Sequence, residues 1–187
     1  VLPPADSFPK GKSSAAVALR LDPDLAEAHA AMGYAEHYHD WNWAAAEKSF
    51  RRAVELNDNQ GYTHLFFLNY FIAMGRFEEA ERESDRAFEL DPLSMIINIA
   101  RGWARFFSRD FDRAARLTEE ALAADPQFLT TYAWLAPIYE AQGRFEDSLA
   151  IAEKAGGLSA RGPWSLVGLG RALGGLRRRP GAEGRAV

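Results

Sequence analysis

Two apolar-periodic runs, Tyr62–Met74 and Phe77–Leu90, lie within GYTHLFFLNYFIAMGRFEEAERESDRAFELDP, the stretch Gly61–Pro92. They are joined at Gly75-Arg76 and closed by Asp91-Pro92. Each run has the length of a short globular helix, and the glycine and the proline stand where helices stop. The spacing predicts a helical hairpin, and the rest of the chain repeats it. Pro92 and Pro126 are 34 residues apart, each after an aspartate, while Pro23 precedes Pro92 by 69, two periods plus one residue. Asp58, in ELND, takes the intermediate proline's place. Gly75-Arg76-Phe77-Glu78-Glu79-Ala80 returns as Arg109-Asp110-Phe111-Asp112-Arg113-Ala114 and as Gly143-Arg144-Phe145-Glu146-Asp147-Ser148. Ala53, Ala87, Ala121 and Ala155 keep the same 34-residue step. A fixed step of this size is the signature of a stacked repeat, in which each unit leaves an apolar face that its neighbour covers. A closed bundle would show heptads and unequal loops instead.

The pattern resembles the tetratricopeptide repeat, a helix–turn–helix unit, over nearly the whole chain. The residues that carry the likeness are His29, Met32, Gly33, Ala46, Phe50 and Ala53, with Asp58 in the proline place. The next set is His64, Phe67, Leu68, Ala80, Ser84, Ala87 and Pro92, and then Asn98, Arg101, Gly102, Ala114, Thr118, Ala121 and Pro126. Tyr132, Leu135, Ala136, Ser148, Ala152 and Ala155 form the fourth. The resemblance implies an all-α, right-handed superhelical solenoid of antiparallel helix pairs. The expected division is a second helix of an incomplete repeat over 8–23, repeats over 26–58, 61–92, 95–126 and 129–160, and a degenerate partial repeat over 163–187. The segment thus reads as one cut from a longer protein, or as one whose end helices pair with another copy.

Several departures from the period carry expectations of their own. One extra residue lies between Gly33 and Ala46, which places an insertion in His39-Asp40-Trp41-Asn42-Trp43, with two tryptophans packing over it. Arg109 replaces the turn glycine, so the chain there either finds another turn or holds a non-glycine residue at positive φ. Gly156-Gly157 predicts a shortened helix in the fourth repeat, and Pro180 compromises the second helix of the fifth. His29 and His64 share a slot that is usually aromatic in the family and are read as packing residues.

Composition narrows the function classes. Hydrophobic residues make up 48% and charged ones 26%, as in ordinary globular chains, and there is no cysteine. Thiolate chemistry and disulfides are excluded, while the compartment is not fixed by that absence. The opening VLPPADSFPK lacks a signal-peptide pattern, which favours the cytoplasm over export, and no run is long enough to span a membrane. Residues 161–187 carry six arginines against Glu183, a net of +5, so residues 1–160 sum to −9. That acidic majority argues against a nucleic-acid partner, which would call for a basic face. Gly11-Lys12-Ser13 is not a phosphate loop, because Asp6 stands where the loop needs glycine. Glu36-His37-Tyr38-His39-Asp40 offers metal-ligand types, yet a helix brings only Glu36 together with His39 or Asp40, too few for a site. No nucleophile elbow or paired-carboxylate site is evident, so neither enzyme activity nor a cofactor or metal is expected.

The resemblance further implies that first helices line an inner surface. The inner candidates are Tyr34, His37 and Tyr38, then Tyr62, Asn69 and Ile72, then Trp103 and Phe106, then Pro137 and Arg171. Ala30 and Leu65 fall at inner positions too, where family members that grip a C-terminal carboxylate carry lysine. Asn69 matches their asparagine, but that clamp is incomplete here. An aromatic inner strip points instead to a protein or peptide ligand, or to a neighbouring domain of the same chain. The wording around Trp41-Asn42-Trp43 also resembles C-terminal repeat regions of bacterial multidomain regulators, an analogy of fold rather than of site.

Overall fold

A computed structural model describes residues 4–158 and Gly174. Among these residues the chain forms helices and no strands: α1 (Pro4–Leu21), α2 (Ala26–Tyr38), α3 (Trp43–Leu56), α4 (Gly61–Ala73), α5 (Phe77–Leu90), α6 (Met95–Phe107), α7 (Phe111–Ala124), α8 (Leu129–Ala141) and α9 (Phe145–Leu158). The fold is an all-α helical-repeat solenoid, built in two compact units, Val1–Pro92 and Leu93–Val187. In the first, α1 lies against α2, α2 pairs with α3, and α4 pairs with α5. In the second, α6 pairs with α7, α7 lies against α8, and α8 pairs with α9. The expected partial repeat over 163–187 lies outside the described residues.

Local chemistry explains where the second helices stop. Asp22, Asn57 and Asp125 each accept a bond on the side-chain oxygen from the amide two residues on, at 3.0, 3.0 and 2.9 Å. Their own amides still reach back to Ala18, Ala53 and Ala121. Each residue therefore closes one helix and starts an Asx turn, with Pro23, Asp58 or Pro126 as the intervening residue. Proline suits this place because it has no N–H to satisfy and cannot continue the helix.

The turn inside each hairpin depends on one left-handed residue. Trp41, Gly75, Arg109 and Gly143 have φ of 54°, 69°, 66° and 74°, and they stand at 34-residue intervals. Just beyond, the amides of Arg76, Asp110 and Arg144 bond the carbonyls of Phe71, Arg105 and Tyr139 at 2.9, 2.9 and 2.8 Å, the closure of a Schellman-type helix end. In the first hairpin Asn42 reaches Glu36 at 3.0 Å, so the closing loop holds the extra residue. Of the two outcomes open for Arg109, the chain adopts positive φ. Asn42 and Asp110 then cap the following helices through their side chains. Arg76 and Arg144 have no such oxygen. Arg76 lies 4.6 Å over the Phe71 ring and pairs with Glu79, while Arg144 lies 4.0 Å over Tyr139 and pairs with Asp147.

Small and large side chains exchange across the helix pairs. A Cβ on Gly33 would come within 2.9 Å of the buried Phe50 ring, and one on Gly102 would collide with the Thr118 hydroxyl. Leu68 with Ser84, and Ala136 with Ala152, occupy the same slots in the other two hairpins, all of them buried. Two expectations need correction. The helix α9 is not shortened by Gly156-Gly157: it keeps the 14 residues of its counterparts, and the burial of Gly156 overrides the poor intrinsic propensity of glycine. The first helix begins at Pro4 rather than at residue 8, one turn earlier than expected.

Candidate functional site

In the first unit α2 and α4 run side by side and carry a continuous line of rings. Tyr34 is 4.7 Å from Tyr38 and 4.6 Å from Phe66, and Tyr62 is 6.2 Å from Phe66. Phe8, from α1, stacks on Tyr34 at 5.6 Å. Tyr38 and Tyr62 are 39% and 51% exposed, whereas Tyr34, Phe66, Asn69 and Ile72 are half-buried. Burial pushes the Tyr38 hydroxyl up to about 12, reinforced by the neighbouring Tyr34, although a bond with the Asn69 side chain works against it. Sequence reasoning missed Phe8 and Phe66. On α4 the presented face runs Tyr62, Phe66, Asn69, at i, i+4 and i+7. Leu65 is therefore buried instead of inner, and so is Ala30.

His37 corrects an expectation. It is 5% exposed and sits among the rings of Tyr38 at 4.3 Å, Trp43 at 5.2 Å and Tyr70 at 5.9 Å. Its Nδ1 has no hydrogen-bond partner, and burial lowers its pKa. The inner face of α2 that the resemblance implies is covered at this point by Trp43 and Tyr70 from two other helices. The two tryptophans of the inserted turn meet edge to face at 5.5 Å, with Trp41 67% exposed and Trp43 turned inward. The remaining residues of the candidate metal run are engaged otherwise: Glu36 accepts from Ser49, and His39 bonds Asp40, which also pairs with Lys12.

In the second unit Trp103 meets Trp134 at 4.1 Å, and Pro137 is half-buried within α8. Phe106 also corrects an expectation, because its side chain packs on the core of Ala114, Ala115, Leu135, Ile138 and Tyr139. Its neighbour Phe107 is the ring left 40% exposed. Trp134 went unanticipated, and Arg171 lies outside the described residues.

The shared slot of His29 and His64 is a tie rather than simple packing. Nε2 of each bonds the carbonyl of Pro23 or Asp58, and the Tyr132 hydroxyl donates to Pro126 in the same way, at 2.9, 3.1 and 2.7 Å. Each pins a first helix to the turn that precedes it. His64, 2% exposed, also places Nδ1 2.6 Å from the Glu83 carboxylate. Burial alone would depress its pKa, but bonds to Glu83 and the Asp58 carbonyl outweigh it and raise the value. With a carboxylate and a carbonyl facing its two nitrogens, the site favours the imidazolium form. A second polar knot joins Glu47 to Tyr70, Arg51 and Arg76. Burial opposes the Glu47 charge, yet those bonds draw its pKa down to about 2.

Helix pairs in a fixed step and left-handed hairpin turns define a helical-repeat solenoid, with rings lining the face of its first helices. The family model described as tetratricopeptide repeat matches residues 108–158. Solved structures agree on the fold. The thermophilic tetratricopeptide protein TTC0263 of Thermus thermophilus superposes with TM-score 0.77 at 18% identity, covering 89% of this chain and 90% of that one. PilW, a widely conserved type IV pilus biogenesis factor, gives 0.79 at 22% identity, with 92% and 81% covered. YrrB, described as a tetratricopeptide protein with an unusual peptide-binding site, gives 0.66 at 16% identity, with 87% and 84% covered. No curated protein sequence matches the chain.

Proposed function

We propose that the chain is a binding scaffold whose first unit holds a peptide or protein segment on the strip formed by Tyr34, Tyr38, Tyr62 and Phe66, and that it works without catalysis inside a larger bacterial regulatory protein. The observation that carries the reading is the exposure of Tyr38 and Tyr62 beside rings that hold them in place. Tyrosine supplies a rigid apolar face with a polar tip, which is why it recurs at the centre of binding surfaces. The peptide-binding site named for YrrB supports the class of ligand, though not the residues. The division into four whole repeats with a partial one at each end belongs to the same proposal.

Peptides selected from a random library on the immobilised chain provide the test. Their affinities are then measured for Tyr38→Ala combined with Tyr62→Ala. Both side chains are exposed, so helicity should stay unchanged while affinity falls about tenfold or more, the equivalent of roughly 1.4 kcal/mol. Selected peptides that bind the double variant as tightly as the parent would overturn the assignment.

A further inference from the structure

We propose that His37 is an acid-sensitive latch on the inserted turn: neutral, it stays packed beneath Tyr38 and Trp43, and protonated, it leaves that pocket and frees the turn. The turn property stands by itself, while its bearing on ligand binding rests on the function proposed above.

The geometry carries the argument. His37 is nearly sealed from solvent and ringed by Tyr38, Trp43 and Tyr70, and its Nδ1 meets no acceptor. A neutral imidazole tolerates such a pocket through its lone pair. An imidazolium carries N–H on both nitrogens, and the one at Nδ1 would then point into a wall with nothing to accept it. Charged and titratable groups surround the pocket without relieving this. On α2 itself Glu36 is taken by the Ser49 hydroxyl, and His39 by Asp40. From α1, Lys12 is occupied by that same Asp40. From α3 and α4, Glu47 is committed to Arg51, Arg76 and the Tyr70 hydroxyl, and Tyr38 carries its bond with Asn69. The lowered pKa of His37, caused by burial, agrees with this arrangement.

What moves is set by what His37 holds. It joins the last turn of α2 to Trp43, the first residue of α3, across four residues, His39–Asn42, that include Trp41 at φ 54°. A non-glycine residue in the left-handed region persists only where its surroundings enforce it. The turn amides of His39, Asp40 and Asn42 bond Ala35 and Glu36, and these are the bonds that loosen when the ring departs. Tyr38 is the next residue, so the strip feels the same event.

The test needs no ligand. In the full chain, the ring of His37 is titrated by NMR, and exchange of the His39, Asp40 and Asn42 amides is followed over the same pH range. His37 is expected to titrate below 6.5, with Tyr38 and Trp43 resonances shifting at the same midpoint. Protection of those amides, corrected for intrinsic rate, should fall about tenfold across that transition. The transition should vanish in His37→Phe and persist in His39→Gln. A midpoint at or above 6.5, as stabilisation of the cation by the surrounding rings would give, overturns the latch. So does a loss of turn protection that does not follow His37, which the parent chain reveals even where His37→Phe folds poorly. Weak peptide binding by a chain that passes this test would count against the strip and leave the latch standing.

Discussion

Replacing the hairpin glycine at position 75 by alanine isolates the energetic role of the left-handed turn. Gly75 has φ +69° and no atom within 4 Å of where a Cβ would stand, so the substitution meets no neighbour. The effect is confined to the backbone. An L-residue in the left-handed region is disfavoured by roughly 1–2 kcal/mol, through crowding of Cβ against the carbonyl oxygen. Loss of glycine's freedom in the unfolded chain returns about 0.4–1 kcal/mol. The net destabilisation of Gly75→Ala should be about 0.5–1.5 kcal/mol. For a unit of this size that corresponds to a fall in Tm of roughly 2–10 °C.

The equivalent position at Arg109 makes the argument reversible. Arg109 holds φ +66° with a side chain that the turn does not favour, its guanidinium 5.4 Å from the Phe111 ring. An exposed cation–π contact contributes about 0.5–1 kcal/mol and the freedom glycine adds to the unfolded chain costs about 0.4–1 kcal/mol, so Arg109→Gly should lie within about 1 kcal/mol of neutral. Gly75→Asn should fall between glycine and alanine, because asparagine enters this region more readily. The assay is thermal and urea unfolding followed by helical circular dichroism, with several probes to establish cooperativity in a repeat protein. If Gly75→Ala proved neutral while Arg109→Gly destabilised by more than about 1 kcal/mol, the turn residue would not be setting the energy and the reasoning would fail.

Four further outcomes follow from the same structure. Gly33→Ala drives a Cβ to within 2.9 Å of Phe50 and should destabilise by about 1–3 kcal/mol, with Phe50→Leu in the same chain restoring part of the loss in a double-mutant cycle. His64 has a raised folded pKa, so its contribution is fully present below 6.5 and is lost as pH rises through the folded value; urea unfolding across that range should show the decline, and Glu83→Gln should abolish it. His37, with a lowered pKa, works in the opposite sense, and its contribution is lost as pH falls below 6.5. Pro137→Ala fills the missing N–H within α8 and should raise stability by up to about 3 kcal/mol, measured by thermal unfolding; a loss would mean that the helix is shaped around the proline.

The hairpins were legible because period, glycine and proline act on the backbone locally. The 34-residue step located the turns but left Arg109 open and did not foresee Trp41; the structure puts a left-handed residue at that step in all four hairpins, since steric need belongs to the position and not to the residue found there. The site was legible only in part. The family resemblance assigns a face to each residue from its own helix, so it grouped Tyr34, Tyr38 and Tyr62 but could not see what other helices cover. Trp43 and Tyr70 bury His37, and the core of the α7–α8 pair takes Phe106. Leu65 and Phe66 differ by one residue, about 100° around a helix, and that rotation separates a core position from a presented one. The Gly156-Gly157 helix failed for the same reason, since its burial is supplied from outside the segment.

The slots that looked degenerate become regular when read as pairs. One slot holds Gly33, Leu68, Gly102 and Ala136 through the four hairpins, and the other holds Phe50, Ser84, Thr118 and Ala152. Where the first has no side chain the second is large or branched, and where the first is leucine the second is serine. Within each unit the two pairs have similar summed volume at the crossing, Gly-Phe and Leu-Ser in the first and the smaller Gly-Thr and Ala-Ala in the second, so close packing keeps the sum alike there and not either residue. The exchange sets the design of any graft between hairpins. Moving Gly33 alone into the Leu68 slot should open a cavity and cost about 2–5 kcal/mol, as large-to-small core changes do. Moving Gly33 and Phe50 together into the Leu68 and Ser84 slots should recover most of that, measured by urea unfolding. A double exchange no more stable than the single one would show that the slots do not compensate and that the pairing is coincidence.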